Sequence, residues 1–231
     1  THTHTHTHTH NTQHSLAWQV IKWPDPSEYD AIGHMFKKDQ ADSPFGNALG
    51  AIDGTFIRIR PPHAAMSRHG GSDSFNSYKK YHAIVVLAVA LPNRMFTYVN
   101  VGTPGSHTDQ YVLNRSRLMQ HIDRYIPQGR YLLGDSGFSC YWWLMVPFVA
   151  RHFGAKVLAA TRRMRTWFNF QLSRRRTCVE HTFGGLKNRF PALREGLRCV
   201  TCDTRKGNNN LDHIREMVTA ALVLHNIIQE R

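Results

Sequence analysis

Carboxylates are scarce in this chain, where 16 Asp and Glu face 29 Lys and Arg and the formal net charge is +13 with His neutral. That imbalance suits a small neutral substrate poorly and favours a polyanionic partner, nucleic acid first and an acidic membrane surface second. Cysteine is scarce too. Cys140, Cys178, Cys199 and Cys202 are too few in 231 residues for a dense disulfide framework. No N-terminal apolar run precedes a small-residue cleavage site, so an intracellular, reducing compartment is expected. Long apolar runs are missing as well: Ala83 to Leu91 is about half of the roughly 20 residues needed to cross a bilayer, so a soluble protein with no membrane partner is expected. The length fits one α/β domain with short appendages.

The chain opens on five Thr-His repeats with too little apolar surface to offset their ordering entropy. Residues 1–14 therefore read as a disordered tail, whose flexible imidazoles make a tag rather than a preorganised metal site. Residues 15–48, with Pro24, Pro26 and Pro44, read as an appendage of a short helix or two, and 49–231 as the main domain. There, Gly50 to Arg60, stopped by Pro61-Pro62, then Tyr81 to Leu91, turned at Pro92-Asn93, then Met95 to Val101 read as three successive strands. Short turns between them imply an antiparallel unit. Thr108 to Ile122 has Val112, Leu113, Leu118 and Ile122 at helical spacing, and Tyr131 to Asp135 is a short buried strand ending at a turn. Trp142 to Phe153 is mostly apolar but interrupted by Pro147; Ser173 to Phe190 and Leu211 to Gln229 read as helices. The order is βββ-α-β-α-α, an α/β fold on a mixed sheet.

Three carboxylates sit where elements begin or end: Asp53 on the first strand, Asp135 at the end of the fourth, and Glu180 inside the Arg-rich helix. Strand ends at a sheet edge are where α/β folds gather reactive side chains. Asp53 precedes Gly54 and Asp135 lies in Gly134-Asp135-Ser136-Gly137, so both read as exposed at tight turns, where an ordinary turn aspartate is the alternative. Projecting the helix at about 100° per residue puts Val179, Phe183, Leu186 and Phe190 on a core stripe, with Arg176, Glu180 and Lys187 along its margin. The alternative there is an Arg176–Glu180 surface pair, worth a few tenths of a kcal/mol. Gly184-Gly185, costing about 1 kcal/mol each inside a helix, suggests a close approach by another group.

The segments Gly50-Ala-Ile-Asp-Gly-Thr, Pro104-Gly-Ser-His-Thr-Asp109, Tyr131-Leu-Leu-Gly-Asp-Ser-Gly-Phe138, Trp143-Leu-Met-Val-Pro-Phe148, Phe168-Asn-Phe-Gln-Leu-Ser-Arg174, Val179-Glu-His-Thr-Phe-Gly-Gly-Leu-Lys-Asn-Arg-Phe190 and Val223-Leu-His-Asn226 run in order along the chain. Together they resemble the successive signatures of the PIF/Harbinger-type DDE transposases and their domesticated nuclease relatives. The resemblance implies a ribonuclease-H-like core with helices on both faces of the sheet. It implies Asp53, Asp135 and Glu180 as the catalytic triad, with Asp109 as a further metal ligand. One departure is local: the family usually has His directly before the position of Asp109, whereas this chain has Thr108 there and His107 one place earlier. The family also usually carries an N-terminal helix-turn-helix region. The segment before Leu49 is too short and Pro-rich for one, so a truncated or decayed copy is expected.

Clustered carboxylates repel one another unless a divalent cation neutralises them, and hard oxygen ligands select Mg²⁺ or Mn²⁺ over Zn²⁺. The expected activity is therefore two-metal cleavage of DNA phosphodiester bonds, with strand transfer when a 3′-hydroxyl attacks. Arg162, Arg163, Arg165, Arg174, Arg175, Arg176 and Lys187 are expected to hold backbone phosphates, which position DNA without reading its sequence; solvated surface is the alternative for these basic runs. Cys199 and Cys202 have the spacing of half a zinc site with His213 as a third candidate, but no second pair completes four ligands, so free thiols are expected. Trp142, Trp143 and Phe148 could stack bases, although apolar residues in a helix of such a domain are more often core. Two rivals remain: a DNA-binding or scaffold protein that keeps the fold without catalysis, and an RNA-processing nuclease. A separate Myb-like DNA-binding partner and nuclear location complete the expectations that the resemblance carries, with an oligomer left open.

Overall fold

β1 (Ala48–Arg58) is the hub of a five-stranded mixed sheet. The computed structural model describes residues 19–37, 43–59, 75–154, 158–197 and 210–230. The Thr-His tail, residues 60–62 and the Cys199/Cys202 pair lie outside them. β2 (Ala83–Ala90) runs antiparallel to β1 and to β3 (Phe96–Pro104), while β4 (Tyr131–Leu133) is parallel to β1 and β5 (Leu144–Met145) parallel to β4. The spatial order is β3-β2-β1-β4-β5.

Every residue of β2 is buried, because the strand is covered on both faces. Ile84, Val86, Ala88 and Ala90 point into one hydrophobic cluster and Val85, Leu87 and Val89 into another, as the two-residue strand period requires. The first cluster receives Ile32 and Phe36 of α1 (Tyr29–Lys37). The second receives Val112, Leu113 and Leu118 of the short helices α2 (Asp109–Asn114) and α3 (Arg117–Gln120), which lead into α4 (Ile122–Tyr125). Across the sheet, α5 (Ala159–Arg189) packs Leu172, Val179, Phe183 and Leu186 into the first cluster. It is joined by Leu193 of α6 (Ala192–Glu195) and by Ile214, Val218 and Leu222 of α7 (Asn210–Gln229). Helices thus cover both faces of the sheet. Among the described residues no helix is long and apolar enough to cross a membrane.

Three elements differ from the sequence pattern. The single helix expected over Thr108 to Ile122 is broken into three. Buried Ser116 causes the first break: its hydroxyl donates to Leu113 O at 2.7 Å and accepts from Met119 N at 3.2 Å, closing α2 and capping α3. Trp142 to Phe153 is not one continuous helix, and only Ala150–Phe153 at its end is helical, as a short 3-10 turn. Trp143 O and Met145 O accept from Leu132 N and Gly134 N, both at 2.8 Å, so the run serves as an edge strand before Pro147. Finally, α5 begins at Ala159 rather than near Ser173, and its 31 residues span roughly 46 Å at about 1.5 Å per residue.

α5 is pinned in place by Arg175, expected on sequence grounds to bind phosphate. Its guanidinium turns inward instead, donating to Phe36 O at 2.7 Å, Gln171 Oε1 at 2.5 Å and Ser43 Oγ at 3.0 Å, and lies 4.8 Å from the Phe45 ring centre. Only 3% exposed, it cannot reach a DNA backbone. Asn226 does the same for α7, accepting from Phe96 N at 2.9 Å and donating to Phe96 O at 2.7 Å.

Candidate active site

Asp53 stands in the middle of β1 opposite Ala88, so its place is set by pairing with β2 rather than by a turn. Its Oδ1 accepts from Gly54 N at 2.9 Å. Gly54 is the closest-packed backbone of the site, since a Cβ there would lie 1.9 Å from Asp109 Oδ1. Only glycine lets Asp109 lie against β1. Asp109 itself is delivered by the first turn of α2. Thr108 caps that helix, its Oγ1 accepting from Tyr111 N at 3.3 Å, while His107 stacks on Tyr111 with ring centres 4.0 Å apart. The local departure from the family pattern thus serves helix capping and ring stacking.

Asp135 follows β4 in a turn, where its Oδ1 accepts from Gly137 N at 2.9 Å. Gln110 ties that loop to α2, its Oε1 accepting from Ser139 N at 2.6 Å and its amide donating to Asn114 Oδ1 at 2.6 Å. Nothing in the sequence pattern had marked Gln110. From α5, Arg176 reaches both of the remaining carboxylates: its guanidinium donates to Asp53 Oδ2 at 3.0 Å and also to Glu180 Oε1 one turn along. Lys187, two turns beyond Glu180, donates to Thr55 Oγ1 at 2.7 Å and Phe56 O at 3.0 Å on the same strand.

The charges respond to this crowding. Burial pushes the Asp109 carboxyl up to about 6, and the neighbouring charges of Asp53 and Asp135 push in the same direction. Asp53 is also raised, by burial first and by Asp135 last, with Arg176 and the Gly54 amide working against the rise. Burial lowers Lys187 to about 8, helped by Lys79. Asp109 and Asp53, both raised by burial first and by neighbouring carboxylate charge after it, are oxygen donors whose chemistry fits a hard divalent cation. The arrangement stops short of a ready cage: among the described residues no three His, Cys, Asp or Glu side chains form a group that could hold a metal ion. Arg176 supplies positive charge to Asp53 and Glu180 instead.

The basic residues expected to hold phosphate divide into separate groups. Arg176 bridges Asp53 and Glu180, Lys187 is tied to Thr55 and Phe56 of β1, Arg175 is structural, and Arg162 and Arg163 are exposed on the first half of α5. Arg165 donates to His152 O and lies over Phe148, and Arg174 lies over Phe170. Gly184 and Gly185, read as a sign of close approach, are not one. A Cβ at Gly184 would meet nothing, and one at Gly185 only His225 Cε1 at 3.5 Å, an ordinary contact. Of the aromatic candidates, Trp143 is core whereas Trp142 and Phe148 are exposed.

Residues 52–226 match the family described as DDE superfamily endonuclease. The chain is 27% identical over 228 residues to "Protein ALP1-like" of Arabidopsis thaliana, covering 93% of this chain and 48% of that protein. It is 26% identical over 215 residues to "Putative nuclease HARBI1" of Homo sapiens, covering 93% and 54%, and 26% identical over 182 residues to the same-named protein of Rattus norvegicus, covering 79% and 46%. The chain spans about half the length of the curated relatives it matches. No solved structure matches it.

Proposed function

Since this chain belongs to the DDE superfamily endonucleases, we propose that it is the catalytic domain of a divalent-metal-dependent DNA nuclease with a ribonuclease-H-like core. The observation that carries the reading is the seating of Asp109 against Gly54 beside Asp53 on β1, where burial first, and then the charges of Asp53 and Asp135, pushes the Asp109 carboxyl up to about 6. Such mutual repulsion is tolerated in a folded protein where a cation or phosphate-bound metal is the working partner. Asp53, Asp109, Asp135 and Glu180 would hold Mg²⁺ or Mn²⁺, as two ions, and the metal would supply activation of the attacking oxygen and stabilisation of the leaving oxygen in phosphodiester displacement.

The chain's own groups do the positioning. β1 and the Gly137 amide fix Asp53 and Asp135, the Thr108 cap fixes Asp109, and α5 carries Glu180 on the margin of the core. Arg176 sits beside the carboxylates, where backbone phosphate would arrive, with Lys187 two turns beyond Glu180 against β1, and phosphate offers Arg176 an alternative to Asp53. With water as nucleophile the outcome is strand cleavage, and with a DNA 3′-hydroxyl it is strand transfer. We further propose that sequence choice comes from a separate Myb-like DNA-binding partner, and that the protein works in the nucleus, where that substrate is.

The rival is a DNA-binding protein without catalysis. It draws on the Arg176 clamp, which satisfies Asp53 and Glu180 with no metal at all. Plasmid nicking in Mg²⁺, Mn²⁺ or EDTA separates the two, and an RNA–DNA hybrid substrate in the same assay tests for an RNA-processing activity.

A further inference from the structure

The first half of α5 carries a feature that the carboxylate site does not use. Trp167 and Phe170 are 49% and 58% exposed, and with Arg162, Arg163 and Thr166 they line one open depression of about 490 Å³. Neighbouring large aromatics left in water point to an occupant. At about 100° per residue, Arg163, Trp167, Phe170 and Arg174 fall in one strip of the helix, outside the arc of its buried residues. Arg162 lies on the same side of the helix as Glu180, five turns earlier, with Thr166 between that side and the strip, and Phe170 is about 15 Å along the axis from Glu180.

Charge identifies the occupant. Between Asp135 and Glu180 the sequence contains no Asp or Glu at all, so the first half of α5 carries arginines and no carboxylate of its own beside Arg162 and Arg163. A second copy docking here would set arginines against arginines. The Arg174 guanidinium lies 5.6 Å from the Phe170 ring centre, so this surface already pairs a ring with a flat cation. Guanidinium groups for phosphates beside rings for base faces are the composition that holds a nucleic-acid strand, and a duplex keeps its base faces stacked inside.

We propose that Trp167 and Phe170 are a stacking platform for unpaired bases of a DNA strand next to the carboxylate site, with Arg162 and Arg163 on its phosphates. That the strand is DNA rests on the nuclease reading; the stacking does not. It makes locally unpaired DNA the preferred substrate of the site.

The test is fluorescence anisotropy of labelled oligo(dT) and of a duplex of equal length with the full chain, without divalent cation, across a salt series. Trp167→Ala and Phe170→Ala should each weaken oligo(dT) binding by about tenfold, within the range of one base–aromatic stack, and leave the slope of log affinity against log salt unchanged. Trp167→Phe should retain affinity, duplex binding should not change, and Arg163→Ala should flatten the single-strand slope by about 0.7. Thermal melting confirms that these surface variants fold. The proposal is overturned if both alanine variants bind oligo(dT) like the wild type. Equal losses on both DNAs also overturn it, as does a wild-type dimer that becomes a monomer in the double variant. A wild-type chain that binds oligo(dT) through these rings but nicks nothing sinks the nuclease reading alone.

Discussion

Arg176 on α5 reaches across to Asp53 on β1, with Nη1 3.0 Å from Oδ2 and both side chains only 17% exposed. Breaking a partly buried pair of this kind leaves a desolvated carboxylate behind. Arg176→Met should therefore lower unfolding free energy by about 1–3 kcal/mol in urea titration near pH 7. Added Mg²⁺ should restore more stability to this variant than to the wild type, because the cation takes over the guanidinium's charge. Equal Mg²⁺ effects on the two proteins would mean that Arg176 and metal do not share a site.

Gly54 is argued to be glycine because Asp109 occupies the space of a side chain. Gly54→Ala should displace the Asp109 carboxylate, cost about 1–3 kcal/mol of stability and abolish nicking. Gly184→Ala, where a Cβ meets nothing, should instead stabilise the helix by up to about 1 kcal/mol. Paired urea melts and nicking assays check both, and an active Gly54→Ala enzyme would remove Asp109 from the site.

The Asp109 carboxyl, raised to about 6 from an ordinary 3.8, makes the fold prefer its protonated form. That preference favours folding below the ordinary value and is lost as pH rises through about 6. Asp109→Asn, which carries no charge at any pH, should accordingly melt higher than the wild type at pH 8. The gap should close as pH falls from 6 towards 4. A gap independent of pH, measured by thermal melting from pH 4 to 8, would show that Asp109 is not held against neighbouring charge.

The sheet was readable because β1, β2 and β3 are apolar runs punctuated by Pro and Asn, and Glu180 was placed correctly beside the core because Val179, Phe183 and Leu186 define one helical stripe. The first half of α5 was not readable as helix. Its outward residues are Arg, Trp and Phe, so no polar face contrasts with an apolar one and the period disappears. The break at Ser116 depends on a buried hydroxyl, and β5 depends on pairing with β4; neither is encoded in local periodicity. Glycine misled in both directions: Gly184-Gly185 looked crowded and is open, while Gly54 looked like a turn and is a mid-strand contact with a residue 55 positions away.

Sequence-independent phosphate contacts predict weak DNA binding by this chain alone. α7 and the second half of α5 commit an apolar face to the core, and the exposed first half of α5 presents the rings proposed to stack unpaired bases rather than a face that reads a groove. Affinity for unrelated duplexes should be equal and should fall by about 0.9 log unit per log unit of salt for each phosphate neutralised. A Myb-like partner should add sequence preference. Strong preference by the chain alone near 200 mM salt would reveal a base-reading element.

Plasmid nicking by the wild type, Asp53→Asn, Asp135→Asn and Glu180→Gln, in Mg²⁺, Mn²⁺ and EDTA with DNA binding measured in parallel, addresses the carboxylate site most directly. The wild type should nick with either metal and be silent in EDTA, and each variant should lose nicking while binding DNA as well as or slightly better than the wild type, since one negative charge is gone. Nicking that persists in EDTA, or that survives all three substitutions, would contradict the account.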